Sequence, residues 1–386
     1  MIDIVDKRDC TGCWGCANIC PKSCITMKTD KEGFDYPIVD ESTCVKCKKC
    51  INVCPILHKE EIENNPVAYA CFNKDEEVRT ESSSGGIFTL IATNIIKDNG
   101  VVFGARFNEL FEVEHSYVES VEDIKVFRGS KYVQSKMGYT FTKVKKFLED
   151  GRKVLFSGTP CQIGGLKSFL GKDYKNLICI DIICHGVPSP KVWKDYLEWA
   201  EQKYKSKCIG VDFRNKKKFG WAAHKETLQL KDYRGKVKCF HSEVFKNMFY
   251  SHYTIRPSCY KCPYKDIMHP ADITIADFWK IDSAIPGFND DKGVSLVLIN
   301  NEKGEKVFDL IKKDLIYQTS TVEKCMMSTM QRPFSKPEDR EEFWDSYLKK
   351  DFDFMAKKYG EYGLINAFKR SFKLGIGRVY RRIRKY

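Results

Sequence analysis

The sequence contains no run of about eighteen apolar residues, the length that a helix needs to cross a bilayer. The most apolar stretch, residues 86–96, is interrupted by Thr89, Thr93 and Asn94. The amino-terminal segment MIDIVDKRDC carries acidic residues and no apolar run, so we expect no secretion signal. Both absences predict a cytoplasmic protein that is soluble or peripheral to the inner face of the membrane.

Two kinds of binding motif are also missing. No GxGxxG fingerprint for dinucleotides occurs, so no nucleotide cofactor can be assigned from such a motif. No nucleic-acid reader motif accompanies the net charge of +13, and we expect no nucleic-acid partner. From Glu361 onward the chain has eight basic residues, one acid and interleaved apolar residues. This basic tail is typical of a segment that lies on an anionic membrane, and equally of a solvated or docked tail.

Cysteine, by contrast, is abundant, with 18 residues. Without an export signal, so many thiols indicate a reducing cytoplasm in which they bind metals or take part in redox chemistry. Eight of them fall in two copies of the pattern Cys-x2-Cys-x2-Cys-x3-Cys-Pro, which read CTGCWGCANICP and CVKCKKCINVCP. Because oxygen damages exposed iron–sulfur clusters, an anaerobic setting would suit such a protein.

This spacing is typical of a ferredoxin domain with two 4Fe-4S clusters, in which the fourth cysteine of each run binds the cluster of the other run. The rule predicts these ligands for the first cluster: Cys10, Cys13, Cys16 and Cys54. It predicts these for the second: Cys20, Cys44, Cys47 and Cys50. A disulfide scaffold or a zinc ribbon is the alternative, although a ribbon uses two separate CxxC pairs. Cys24 lies outside the repeated cysteine spacing, and we interpret it as a buried apolar residue.

Later cysteines point to a third site. KVLFS and LICIDII are predicted parallel strands of a βαβ unit, and Cys161 and Cys184 follow their carboxyl ends, where ligands bind in α/β folds. The turn PSCYKCPYK adds Cys259 and Cys262. Four thiols could hold a third 4Fe-4S cluster or a zinc ion, or could be inert. A nucleophilic Cys161 with His185 as base is a further alternative.

Several other residues are candidates for weaker reasons. Ser82–Gly86 precedes a predicted helix and could cradle a flavin phosphate, or could simply cap that helix. Asp181 and His185 could touch a cofactor or serve the core. Asp277, Phe278 and Trp279 end a predicted strand, where the aromatic rings could flank a flat cofactor or pack in the core. Five cysteines without ligand spacing are interpreted as packing residues: Cys71, Cys179, Cys208, Cys239 and Cys325.

The periodicity predicts a mixture of strands and helices after a polar linker at about 56–66. Strands are predicted at 67–72, 101–107, 153–157, 177–183, 208–214, 225–231, 236–240, 271–279 and 294–299. Helices are predicted after Gly86, at 139–150, 162–170 and 243–250, and from the last strand to about 313. The remainder is predicted to be helices and tail. The fold class is therefore α+β or α/β: a ferredoxin-like module, then an α/β domain with a mixed, partly parallel sheet, then a helical tail.

The motifs SSSGG, FRGSKYVQS, SGTPCQIGGLK, CHGVPSP, SCYKCPYK and ADITIADFW occur in this order. From about Val67 to Met330 the chain thus resembles the coenzyme F-420 hydrogenase/dehydrogenase beta subunit family. The resemblance implies an FAD-binding α/β domain with a 4Fe-4S cluster on Cys161, Cys184, Cys259 and Cys262. It also implies flavin contacts at these residues: Ser84, Gly85, Gly86, Lys131, Ser157, Gly158, Thr159 and Pro160.

Three domains are expected: a dicluster domain at 1–60, the beta-subunit-like domain at 67–330 with parts at about 67–150 and 151–330, and a basic tail at 331–386. The predicted function is that of an iron–sulfur flavoprotein oxidoreductase. It would relay electrons between 4Fe-4S clusters and an FAD site that transfers hydride to coenzyme F-420 or another acceptor. The alternatives are a non-catalytic electron-transfer subunit of a larger complex and a reductase of surface polysaccharide biosynthesis. Expected partners are a redox protein or a deazaflavin.

Overall fold

A computed structural model of the protein describes residues 2, 6–59 and 61–363. Its strands are β1 (Ile25–Thr29), β2 (Asp35–Val39), β3 (Val67–Asn73), β4 (Val101–Phe107), β5 (Val113–Val118), β6 (Val154–Gly158), β7 (Leu177–Ile182), β8 (Ser206–Asp212), β9 (Glu226–Asp232), β10 (Val237–Ser242), β11 (Ile273–Asp277), β12 (Ser295–Ile299) and β13 (Leu315–Ser320). Its α-helices are α1 (Gly15–Ile19), α2 (Lys49–Asn52), α3 (Glu76–Glu81), α4 (Ile87–Lys97), α5 (Thr140–Glu149), α6 (Pro160–Leu170), α7 (Pro190–Tyr204), α8 (Lys216–Phe219), α9 (Val244–Tyr250), α10 (Ile281–Ala284), α11 (Glu302–Ile311), α12 (Val322–Cys325), α13 (Arg340–Lys349) and α14 (Phe352–Lys358).

The chain forms two compact units. The first combines residues 1–191, 213–223 and 255–335, and the second combines residues 192–212, 224–254 and 336–386. The cysteine-rich amino-terminal segment and the large sheet therefore belong to the same unit. The domain boundaries drawn from the sequence stay a prediction.

A mixed sheet of eight strands forms the centre of the first unit, in the order β13-β3-β12-β11-β7-β6-β4-β5. Strands β11, β7, β6 and β4 are parallel neighbours. Strand β12 runs antiparallel to both β11 and β3, so β3 points in the same direction as the parallel group. The predicted mixed, partly parallel sheet is confirmed, and so is the parallel pairing of the two strands that precede Cys161 and Cys184.

Successive side chains along a strand point to opposite faces of the sheet, so apolar residues of these strands form a core on each face. Val102 and Leu155 pack in one cluster with Ile91 of α4 and with Phe308 of α11. Their neighbours, such as Phe103, pack on the opposite face with residues of α5 and α6. The parallel strands are thus buried on both sides, which explains their continuous apolar sequences.

The ferredoxin-type segment consists of the antiparallel pair β1–β2 and the short helices α1 and α2. Val53 is buried in the same core cluster as α5 and α6, and Trp14 and Ile19 pack against that cluster. The segment is therefore anchored on one face of the large sheet through apolar side chains.

The second unit contains the antiparallel sheet β10-β9-β8 together with α9, α13, α14 and most of α7. Its core is aromatic: Trp193 and Tyr196 of α7 pack against Phe245 of α9, with ring centroids 5.1 and 5.9 Å away. A register irregularity between Cys208 and Gly210 interrupts the pairing of β8 with β9. Such an irregularity locally increases strand twist.

Three sequence predictions need comment. The prediction of helices after about residue 313 is wrong for β13, which pairs antiparallel with β3 at the edge of the sheet. Cys239 was interpreted as a packing residue, but it is exposed on β10, whereas Cys71, Cys179 and Cys325 are fully buried. Helices α13 and α14 occur where a helical tail was predicted, but residues 364–386, which contain the eight basic residues counted from Glu361 onward, lie outside the described residues. No helix among the described residues is long and apolar enough to span a bilayer.

Candidate functional site

One edge of the large sheet collects most of the predicted site residues. Strands β3, β4, β6, β7 and β11 all point toward this edge. Ser82–Gly86 follows β3 by one short helix, Thr159 and Pro160 follow β6, and Cys184 follows β7. The carboxyl ends of such strands are where open α/β folds bind ligands.

The first group of cysteines surrounds an open cavity of about 340 Å³. It consists of Cys10, Cys13, Cys16 and Cys54, and the rest of the lining is apolar or uncharged. Burial raises the pKa of the Cys13 thiol to about 12, and neighbouring thiolates add to this increase. The Cys13 thiol would stay protonated unless iron replaced its proton, so the site suits a metal cluster better than a free thiolate.

The second group surrounds an open cavity of about 360 Å³. It consists of Cys20, Cys44, Cys47 and Cys50, and Cys24 lies beside them with its Sγ 3.3 Å from the Sγ of Cys20. Cys24 is buried, as expected. Each cavity thus joins three cysteines of one run to the fourth cysteine of the other, which is the grouping that an exchange of fourth ligands requires. The assignment of iron ligands stays a prediction.

The structure also brings the four later cysteines together. Cys161 lies in the first turn of α6, where its Sγ is 3.2 Å from the Oγ1 of Thr159. Burial raises the pKa of the Cys161 thiol, and charges on Cys262, Cys184 and Cys259 add to the increase. Four thiols within interaction range of one another could hold a cluster. In the described part of the chain, no group of three or more His, Cys, Asp or Glu side chains fits a single metal ion.

Helix α6 connects the first and third cysteine groups. Gly165 lies one turn after Cys161, and a Cβ built on it would be 2.8 Å from the Cβ and 2.9 Å from the Sγ of Cys13. A methyl group on Gly164 would overlap the hydroxyl of Tyr264. Tyr264 is buried, and charges on both Cys161 and Cys13 add to the rise that burial causes in its pKa. Two consecutive glycines therefore allow the helix to lie directly against the first group.

Arg256 is a buried cation between these groups. Its Nε donates to the carbonyl of Cys10 at 2.6 Å, and its other nitrogens donate to Gln134 and to the carbonyl of Asp35. It forms no ion pair with a carboxylate in the described residues, although a buried charge is costly without a counter-charge. A thiolate-bound cluster is anionic and would supply that charge. Sequence reasoning missed Arg256, whose only signal is its position just before PSCYKC.

The SSSGG loop meets the FRGSK loop at the same edge. The amide and the hydroxyl of Ser130 donate to the Oγ of Ser83 at 2.7 and 2.8 Å. The hydroxyl of Ser84 donates to the carbonyl of Val294, and the amide of Gly85 donates to the Oγ of Ser295. These groups of Ser84 and Gly85 are engaged within the protein, so the loop contributes to an anion site less than its sequence suggests. No side chain caps the start of α4.

Lys131 is the better candidate for an anionic ligand. Its Nζ donates to the carbonyl oxygens of Arg128 and Gly129 at 2.9 and 3.1 Å, and it pairs with no carboxylate in the described chain. Burial lowers the pKa of Lys131 to about 7. Arg128 forms an ion pair with Glu81, and its Nε is buried without a hydrogen-bond partner. Lys131 is therefore the basic group on this loop that lacks a carboxylate partner in the described chain, and such a group fits a phosphate, as in a flavin nucleotide.

A buried network orients the loop from Ser157 to Pro160. His115 lies 2.7 Å from the Oγ of Ser135 and 3.0 Å from the carbonyl of Ser157. Gln162 donates to Ser135 and accepts from the amide of Thr159, both at 2.9 Å. Burial lowers the pKa of His115 to about 4, so the imidazole is neutral at pH 7. Sequence reasoning missed His115, which lies in a strand that was not predicted.

The aromatic residues at the end of β11, which were candidates either to flank a flat cofactor or to pack in the core, differ in their exposure. Trp279 stacks on Trp221 with centroids 4.9 Å apart and is 48% exposed. Arg214, which pairs with Asp277, lies 4.9 Å over the ring of Trp279. Phe278, in contrast, is fully buried in the core.

The two polar candidates near Cys184 have structural partners. Asp181 is fully buried, accepts from Thr274 at 2.6 Å and pairs with His269 at 2.9 Å. The Asp181 charge raises the pKa of His269 although burial opposes the charged form. His185 packs on Phe334 with ring centroids 4.3 Å apart. The observed contacts therefore favour core roles for both residues.

Fold and cysteine grouping together define an iron–sulfur protein, in which a ferredoxin-type segment lies on an α/β domain. Comparison with known families agrees. Residues 9–56 match the 4Fe-4S dicluster domain, and residues 151–324 match the carboxyl-terminal domain of the coenzyme F-420 hydrogenase/dehydrogenase beta subunit. These two matches confirm the resemblance seen in the sequence. The match begins at residue 151, so the likeness over 67–150 stays a prediction.

Among solved structures, the chain is similar to one from the xenon-derivatized F-420-reducing NiFe hydrogenase complex of Methanosarcina barkeri. The two share 17% identity, the match covers 76% of this chain and 92% of the other, and the TM-score is 0.44. No curated protein matches the sequence.

Proposed function

We propose that the protein is an iron–sulfur flavoprotein oxidoreductase that relays single electrons from a donor to a flavin. The two amino-terminal cysteine groups and the group of Cys161, Cys184, Cys259 and Cys262 would each hold a 4Fe-4S cluster. The hydride acceptor would be coenzyme F-420 or another small molecule. The two family matches support the iron–sulfur and oxidoreductase parts of this proposal.

The observation that carries the proposal is the contact between Cys13 and Gly165. Cys161 and Gly165 are four residues apart and therefore share one face of α6. Since Gly165 lies against Cys13, the first and third cysteine groups lie next to each other along the same face of this helix. Electron transfer requires a short distance between redox centres. This packing would bring clusters bound by the first and third cysteine groups close together.

The flavin would lie at the carboxyl edge of the sheet. A bound flavin supplies the exchange between single electrons and a hydride, which clusters alone cannot perform. Lys131 would bind its phosphate, and the His115 network would hold the Ser157–Pro160 loop in place. Trp279, which is 48% exposed, would offer an apolar surface that shields a flat ring from water.

The third site is tested by replacing Cys184 with serine. In anaerobically reconstituted protein we expect Cys184→Ser to lose about four iron atoms per chain, while the EPR signals of the two amino-terminal clusters remain. Cys179→Ser, which changes a buried cysteine of β7 outside the site, is the matched control and should retain all the iron. Full iron content in Cys184→Ser would refute the third cluster.

Flavin content distinguishes the proposed oxidoreductase from the alternative of a non-catalytic electron-transfer subunit. If the purified protein holds iron but neither contains nor binds FAD, the hydride-transfer part of the proposal fails and the subunit alternative takes its place.

A further inference from the structure

The two cysteine runs share one backbone conformation. Gly12 and Lys46 occupy the same place in their runs and have φ angles of 70° and 53°. Trp14 and Lys48 also correspond, with φ angles of 67° and 60°, and each immediately precedes a short helix. The surroundings of the runs can therefore be compared position by position.

The first run faces the body of the protein. A Cβ on Gly12 would be 2.7 Å from the guanidinium of Arg256, and Trp14 packs against Tyr139 with ring centroids 6.5 Å apart. Among the described residues, no charged side chain lines the cavity of the first cysteine group. This group is therefore not available to a protein partner from that side.

The second run faces outward. The five consecutive residues from Val45 to Lys49 are exposed, including Cys47, and Val45 is 56% exposed. The cavity of the second group is lined by four lysines and by no acid: Lys22, Lys46, Lys48 and Lys49. We call these four residues the lysine rim. None of them forms an ion pair within the described part of the chain.

Two features argue that the lysine rim does more than offset thiolate charge. The first cysteine group has the same number of thiols, yet no lysine among the described residues lines its cavity, and the buried Arg256 is the cation that contacts this group. In addition, Lys46 and Lys48 stand at left-handed positions, where glycine would cost less conformational energy. The positive charge is thus concentrated around the cysteine group that is open to solvent, with an apolar residue, Val45, at its centre.

We propose that the lysine rim is the docking surface for a small acidic electron-carrier protein of the ferredoxin or flavodoxin type. This inference rests on the proposed relay function and specifies where its electrons enter. One electron leaves the reduced centre of the carrier and enters the chain at the second cysteine group, with no bond made and no proton required. Complementary charge steers such encounters and makes their rate depend on salt.

The test uses full-length protein with its clusters and a purified acidic 2[4Fe-4S] ferredoxin as the probe. The triple variant Lys46→Gln, Lys48→Gln, Lys49→Gln is compared with a control triple at exposed lysines elsewhere in the same unit: Lys97→Gln, Lys175→Gln and Lys306→Gln. Equilibrium binding of the oxidised carrier and stopped-flow reduction by the reduced carrier are measured between low and high salt.

We expect the native chain and the control to bind the carrier and to be reduced fastest at low salt. The rim variant should be reduced about tenfold more slowly at low salt and show a flatter salt dependence. Unchanged binding and rate in the rim variant would overturn the proposal, as would a change confined to the reduction potential of the second site. Salt-dependent docking without electron transfer would support the surface and instead contradict the relay.

Discussion

Cys20 and Cys24 are neighbouring thiols for which we expect different roles. Their sulfurs are 3.3 Å apart at the cavity of the second group, but only Cys20 belongs to the repeated pattern. Because the fourth ligand is expected to be exchanged between runs, Cys20→Ala should damage the cluster held by the second triplet. Cys24→Ala is the matched control and should keep both clusters.

Two reference variants identify which cluster is affected. The EPR spectrum of reduced Cys20→Ala should resemble that of Cys47→Ser, which lacks a ligand of the second triplet. A spectrum resembling that of Cys13→Ser would mean that each run binds its own cluster, contrary to the exchange.

His115 gives a pH dependence whose direction follows from its pKa. The folded-state pKa of about 4 lies below the ordinary value of 6.5, so between these values the unfolded chain binds a proton that the folded chain does not. His115 therefore costs no stability above about pH 6.5, and stability falls as the pH drops toward 4. When the pH is lowered from 7.5 to 5.0, the unfolding free energy of the native protein should fall by about 2 kcal/mol more than that of His115→Gln.

Anaerobic urea unfolding at the two pH values measures this difference. His58→Gln, which changes an exposed histidine, is the control. Equal pH dependence in the native protein and in His115→Gln would show that the imidazole is not held in its neutral form.

Residues differ in how well their roles can be predicted from the sequence alone. The eight amino-terminal cysteines can be selected from spacing alone, since their ligand geometry is local. Arg256 and His115 could not be, because Arg256 reaches a carbonyl 246 positions away and His115 contacts the carbonyl of Ser157, 42 positions away on β6. Ser84 and Gly85 have a local pattern that suits an anion, but distant partners on Val294 and Ser295 occupy their polar groups.

Among the elements, α6 packs closely against the first cysteine group. Its Gly165 lies against Cys13, where a Cβ would be 2.8 Å from the cysteine Cβ, which is tied to the backbone and cannot move aside. We expect Gly165→Ala to cost about 1–3 kcal/mol of stability through overpacking and to disturb the first cluster. Thermal unfolding and the EPR signal of that cluster are the measurements.

Ser168→Ala on the same helix provides the comparison, because it shortens a partly buried side chain without introducing new atoms. If Gly165→Ala keeps the native unfolding temperature and EPR spectrum, the close packing of α6 on Cys13 is contradicted.

Strands were predicted well where their apolar runs are buried on both faces, as in β4, β6, β7 and β12. Strand β13 was missed because it lies at the sheet edge with most of its residues exposed, so its sequence LIYQTS shows little strand pattern. Only pairing with β3 makes it a strand, and such long-range pairing cannot be read from a local window.

At the scale of the whole molecule, the amino-terminal segment and the large sheet form one compact unit. Within it the second cysteine group is open to solvent, the first packs on α6, and the third lies at the carboxyl edge near the candidate flavin loops. This order of sites runs from a surface rich in lysine to a ligand-binding edge, as a relay requires. The sequence predicted the three groups, but not the contact through α6.

The most direct test of this account is the number of iron, sulfide and flavin molecules per chain in anaerobically purified protein. We predict about twelve iron atoms, as many sulfides and one flavin, which corresponds to three cubane clusters and one hydride-transfer site. About eight iron atoms and no flavin would leave only the dicluster domain and contradict the central claim.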